Sequence, residues 1–183
     1  MIKVDDQLDQ RLGASMYFPS ILDRLSLWLA FIAISLSTPA AVFAQDPSEI
    51  LLELVPEAGA SIQLSRADLE SMPQVEFETT TEWTKGSARY SGPRLSDVLA
   101  KAGLQGTAIE ATAQNDYKVT LTPDLVGPDY PIIALRIDDE PFGLRELGPL
   151  WIVYPYDSQA VYRTEKIFAA SIWQLKRITS AKD

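Results

Sequence analysis

Hydrophobic and polar positions change period several times along this chain, and each change marks an element. Residues 50–55 (ILLELV) form a short apolar run suited to a strand, and residues 60–64 form a second strand after a turn over 56–59. Ser65, followed three residues later by Asp68, suits a helix N-cap, which predicts a short helix over 66–71 that stops before Pro73. Residues 75–83 (VEFETTTEW) alternate and are rich in threonine, so they read as a strand with Val75, Phe77 and Thr79 on one face. Lys85-Gly86 turns the chain, residues 87–91 lead back, and Gly92-Pro93 predicts a second turn. Leu95, Val98, Leu99 and Ala102 then fall at helical spacing, with Asp97 in the first turn and Gly103 as a left-handed stop.

The second half reads mainly as strands. Residues 108–113 and 117–121 predict a hairpin across Gln114-Asn115-Asp116, and 123–127 a loop or single helical turn. A strand over 132–137, a turn at Asp138-Asp139-Glu140-Pro141, a buried strand over 150–154 (LWIVY) and a last strand over 171–178 follow. Many strands with two short helices in one core define an α+β class.

The N-terminal region follows a different pattern. Residues 25–36 (LSLWLAFIAISL) are largely apolar, follow Arg24, and precede the small-residue pattern Val42-Phe43-Ala44. That arrangement predicts a signal peptide over residues 1–44, with cleavage before Gln45 and a possible start at Met16. Twelve apolar residues are short for ~30 Å of hydrocarbon, so no permanent span is expected after cleavage; an uncleaved anchor is the rival reading. Residues 45–183 suit one domain. Of 16 basic and 25 acidic side chains in the chain, three and four lie in residues 1–44, which leaves 13 against 21 and a charge of −8. An acidic domain with no basic run is a poor partner for nucleic acid or an anionic lipid surface. The chain has no cysteine and no histidine, so disulfides are excluded, and zinc and haem lose their usual ligands.

Several segments carry a resemblance. YSGPRLSDVLAKAGL (90–104), the 109–121 hairpin, IALRIDDEPF (133–142), GPLWIVYP (148–155) and SIWQLKRI (171–178) resemble, in order and spacing, segments of the sulfite-oxidase-like, molybdopterin-binding oxidoreductase domain. The resemblance implies that fold, a periplasmic location, and a molybdenum held by a dithiolene and one cysteine thiolate. It places that cysteine near the end of the 75–83 strand, where Thr79, Thr80, Thr81 and Glu82 stand instead. A neutral hydroxyl is a far weaker substitute for a soft thiolate. The family's Pro-Leu-Arg arginine is replaced by Trp151. No catalytic residue or metal ligand is therefore carried over, and no cofactor is expected; molybdopterin enters through the resemblance only.

The segments that border the family's cofactor cleft, by the same resemblance, carry aromatic and polar residues. Thr81, Trp83, Asn115, Tyr117, Tyr156, Arg163 and Trp173 are the ligand-binding candidates. Aromatic walls with a few polar groups suit a small organic ligand or a peptide segment. Arg163 is the expected anchor for an anionic group. Each candidate also has an ordinary explanation. Tryptophans fill cores, Asn115-Asp116 suits a plain turn, and the 154–166 stretch (YPYDSQAVYRTEK) suits a solvated connection as well as a binding lip. The preferred expectation is an exported binding module for a small anionic ligand or for an exported or membrane-bound signalling protein. Its rivals are a periplasmic molybdopterin-dependent oxidoreductase with a non-cysteine ligand and a structural subunit of a larger complex.

Overall fold

Twelve strands and three short helices fill residues 46–181, the part of the chain described by the computed structural model. The predicted leader, its cleavage site and the candidate start at Met16 lie outside the described residues. Among the described residues no helix is long and apolar enough to cross a membrane.

The first sheet joins the two ends of the domain. β1 (Ile50–Val55) runs parallel to β12 (Leu175–Ser180) and antiparallel to β2 (Ile62–Ser65). β5 (Ile109–Ala113) and β6 (Lys118–Leu121) complete the order β2-β1-β12-β5-β6. After β2 comes α1 (Arg66–Glu70), started by a reciprocal cap: Asp68 N–H donates to the Ser65 hydroxyl, and Ser65 N–H donates to the Asp68 carboxylate. That helix is where the Ser-x-x-Asp spacing predicts it.

A second sheet has the order β3-β4-β8-β9, from β3 (Gln74–Thr80), β4 (Ser87–Pro93), β8 (Arg136–Ile137) and β9 (Glu140–Pro141). The third is β11-β10-β7, built from β7 (Ile132–Ala134), β10 (Trp151–Val153) and β11 (Ile172–Trp173). Its strands carry fully buried apolar side chains, including Ile132, Ile133, Trp151 and Ile152.

The structure departs from four local expectations. No turn forms at Gly92-Pro93: β4 runs straight through, with Gly92 opposite Val75 and Pro93 opposite Gln74. The glycine is needed for a close approach, because a β-carbon there would stand 1.9 Å from the Ile133 carbonyl oxygen. The single strand expected over 132–137 divides at Leu135 into β7 and β8, which belong to different sheets. The last strand divides at Gln174, whose φ of 54° turns the chain from the β10 edge to the first sheet. A third helix, α3 (Glu165–Ala170), stands in a stretch read partly as loop; its N-cap is Thr164.

The helix expected from residue 95 is α2 (Leu95–Ala100), with Leu95, Val98 and Leu99 buried. Gly103 closes it at φ +64°, and Leu104 N–H donates to the Leu99 carbonyl. A β-carbon at Gly103 would meet nothing within 4 Å, so Gly103→Ala tests backbone strain alone. The variant should lose about 1 kcal/mol of stability in a denaturant titration. An unchanged midpoint would show that the turn relaxes without the left-handed conformation.

Candidate functional site

Two recesses open side by side where β11, α3 and the β5–β6 hairpin approach the loop after β3. The first is a cleft of about 410 Å³ lined by Trp83, Asn115, Tyr117, Phe168 and Trp173, with Ala113, Ala169, Ser171 and Ile172. The second, of about 300 Å³, is lined by Thr80, Thr81, Glu82, Tyr156, Arg163 and Phe168. Phe168 walls both.

The aromatic wall is continuous from recess to core. Trp83 lies 5.3 Å from Trp173, 6.1 Å from Phe168 and 6.3 Å from Tyr156, centroid to centroid. Behind it stands Trp151, 5.8 Å from Trp83 and 6.3 Å from Trp173. Trp151 is wholly buried, whereas Trp83 and Trp173 are half-buried. The three tryptophans therefore divide their work: Trp151 is core, while the other two pack against that core and show a side to the cleft. Tyr117 stands 57% exposed at the rim. Asn115 holds the hairpin turn by accepting from the Tyr117 backbone N–H at 3.2 Å, and Asp116 beside it takes a φ of 65°.

Tyr156 contributes differently from the expectation of a ligand contact. It is 1% exposed, and its hydroxyl lies 2.6 Å from Ser171 Oγ. Ser171 donates its own proton to the Ile167 carbonyl, so the Tyr156 hydroxyl is the donor in that pair. Burial pushes its phenol well above the usual tyrosine range, so it remains a neutral structural wall.

Arg163 is exposed but already paired. Its guanidinium lies 3.0 Å from the Asp157 carboxylate and 3.4 Å from Thr80 Oγ1. Asp157 also accepts from Thr80 N–H at 2.6 Å and from the Thr80 hydroxyl at 3.0 Å. Those Thr80 bonds, with Arg163 adding a smaller share, hold the Asp157 carboxyl below the usual carboxylate range. An anion approaching Arg163 meets a carboxylate that is already well held.

The threonines at the position of the expected thiolate are saturated by protein partners. Thr79 Oγ1 accepts from Asp157 N–H at 3.1 Å and donates to the Thr80 carbonyl at 3.3 Å. Thr81 Oγ1 accepts from the N–H groups of Trp83 and Thr84 and lies 2.7 Å from Thr84 Oγ1. Among the described residues no group of three or more acidic, cysteine or histidine side chains is placed to hold a metal ion. Engaged neutral hydroxyls with no thiolate do not fit molybdenum.

The arrangement of the three sheets settles the architecture. The chain shares its fold with the sulfane dehydrogenase SoxCD. The crystal structure of that protein, from Paracoccus pantotrophus, superposes with a TM-score of 0.56 at 16% sequence identity. The match covers 76% of this chain but only 40% of the SoxCD chain, so this chain spans well under half of its length. At that identity the likeness establishes the fold, a mostly β, sulfite-oxidase-like architecture with short helices, and no residue role. No protein-family model and no curated protein matches the sequence.

The structure thus brings Trp83, Asn115, Tyr117 and Trp173 into one cleft, and Thr81, Tyr156 and Arg163 into the recess beside it. Sequence reasoning missed Phe168 and Asp157. Phe168 sits on the unpredicted α3, for which Thr164 followed by Glu165 was the available N-cap signal. Asp157 carried no signal, since Thr79 and Thr80, which bond to it, lie nearly eighty positions earlier in the chain.

Proposed function

We propose that this chain is an exported, periplasmic domain of sulfite-oxidase-like fold that does not catalyse through molybdenum and acts as a ligand- or partner-binding module. One observation carries the reading: the polar atoms where a metal ligand would be needed are satisfied internally, while an aromatic cleft remains open beside them. Hydrogen-bonded hydroxyls stabilise the end of β3 and leave no deprotonated donor for a soft metal. A concave, mostly apolar wall with a few polar groups is a usual form for a small-molecule or peptide site. Such a module would serve an exported or membrane-bound signalling protein by presenting the cleft to a ligand outside the cytoplasm.

The test is elemental analysis of protein matured in a host that makes and inserts molybdopterin. Molybdenum far below stoichiometric is the expected result. About one molybdenum per chain, with pterin fluorescence on release, would overturn the reading, because it would require a metal ligand other than a thiolate.

A further inference from the structure

The lining of the cleft decides the charge of its ligand. Four of the side chains around it, Trp83, Tyr117, Phe168 and Trp173, are aromatic, and none of the lining residues is charged. Its two other polar side chains are engaged: Ser171 bonds to Tyr156 and Ile167, and the Asn115 carbonyl oxygen accepts from Tyr117 N–H. The remaining side-chain donors of the lining are the Asn115 amide N–H₂, the Tyr117 hydroxyl and the indole N–H groups of Trp83 and Trp173, all of them neutral.

The charges nearby point the same way. Arg163 is paired with Asp157, Lys166 with Asp124, and Lys176 with Asp116. These three cations therefore already face carboxylates. Glu82, beside Trp83 on the wall of the second recess, and Glu165, at the start of α3, make no ion pair among the described residues. Lys85, two positions beyond Trp83, likewise makes no ion pair among the described residues, so the unpaired charges of these segments are Glu82 and Glu165 against Lys85, one negative in excess. The chain as a whole carries −9, which adds a weak long-range attraction for cations.

We propose that the cleft takes a small organic cation of the alkylammonium class, seated against the rings of Trp83, Trp173, Phe168 and Tyr117, with Glu82 as an outlying counter-charge. The proposal rests on the reading of the domain as a binding module and names its ligand class. The negative faces of aromatic rings attract a cation whose methyl groups also profit from an apolar wall, and tryptophan is the strongest such partner. An inorganic cation would be held less well, because it would keep its water and find no oxygen cage. A carboxylate or phosphate would find only neutral donors in the cleft, since Arg163 lies in the next recess and is already paired with Asp157. An uncharged ring would fill the cleft but gain nothing from the unpaired carboxylates.

Intrinsic tryptophan fluorescence of the purified full chain reads the cleft directly through Trp83 and Trp173. Choline is the probe, compared with its uncharged isostere, in which a tert-butyl group replaces trimethylammonium, and with the matching tert-butyl carboxylate. Choline should give a saturable change with an apparent affinity roughly tenfold above either isostere. Glu82→Gln should weaken choline about two- to fivefold and leave the uncharged isostere unmoved. Tyr117→Leu should weaken choline while folding normally, since Tyr117 is exposed, and Arg163→Gln, which leaves Asp157 uncompensated, should not weaken it. Equal or tighter binding of either isostere would overturn the cationic class while leaving the cleft a binding site. No saturable response to any of the three overturns the proposal as well, and the molybdenum content then reports separately on the wider reading.

Discussion

Gly92→Ala should destabilise the protein by about 3 kcal/mol, a large loss for so small a change. The added β-carbon would lie 1.9 Å from the Ile133 carbonyl oxygen, 2.8 Å from its carbon and 3.0 Å from Ala134 Cα. All three are backbone atoms of β7, so no flexible side-chain tip can give way. Relief requires moving β4 away from β7, although β4 is also paired along its length with β3 and near its end with β8. A shift there loosens the junction of two sheets. The measurement is the denaturant midpoint of the variant against the parent. A loss within about 0.5 kcal/mol would mean that the two strands are not held at this separation in solution.

Gly92 also shows what a single sequence conceals. Gly-Pro is a strong local turn signal, and nothing in the neighbouring residues says that another backbone will pass above the glycine. Elements fixed by short-range chemistry were legible. Ser65 and Asp68 cap α1 by bonding to each other's backbone N–H, and Gly103 ends α2 because an αL residue is needed there. The hairpin across Gln114-Asn115-Asp116 forms as the alternation implies. Elements decided by remote partners were not. Residues 132–137 and 171–178 look like single strands because their composition is uniformly strand-forming. They divide because Ile132, Ile133 and Ala134 find β10, while Ile137 finds β4.

The same distinction applies to the site. Residue types suggested an aromatic pocket, and the resemblance supplied a reason to group segments that are far apart in sequence. The electrostatics were out of reach. Arg163 was a free cation on paper, but Asp157, six positions before it, pairs with it and is itself held across the fold by Thr80. That one carboxylate changes an apparent anion anchor into a neutral pair. Glu82, on the wall of the same recess, makes no ion pair among the described residues.

Trp151→Ala should remove about 4 kcal/mol, in the range expected when a large aromatic side chain is deleted from a core. Trp151 is fully buried on β10, with Trp83, Tyr90 and Trp173 packed edge-on around it at 5.8, 5.6 and 6.3 Å. Trp173→Ala should cost less, about 2 kcal/mol, because one side of that ring already faces the cleft. Trp151→Arg is the informative third variant, since it restores the residue type that the resemblance expects. A guanidinium at this fully buried position would be desolvated among aromatic rings, so it should be at least as destabilising as alanine. Near-parental stability of Trp151→Arg would mean that water or a counter-ion reaches the space behind the tryptophans. The wall behind the cleft would then be an open pocket, and the proposal that the domain holds no anionic cofactor would weaken with it.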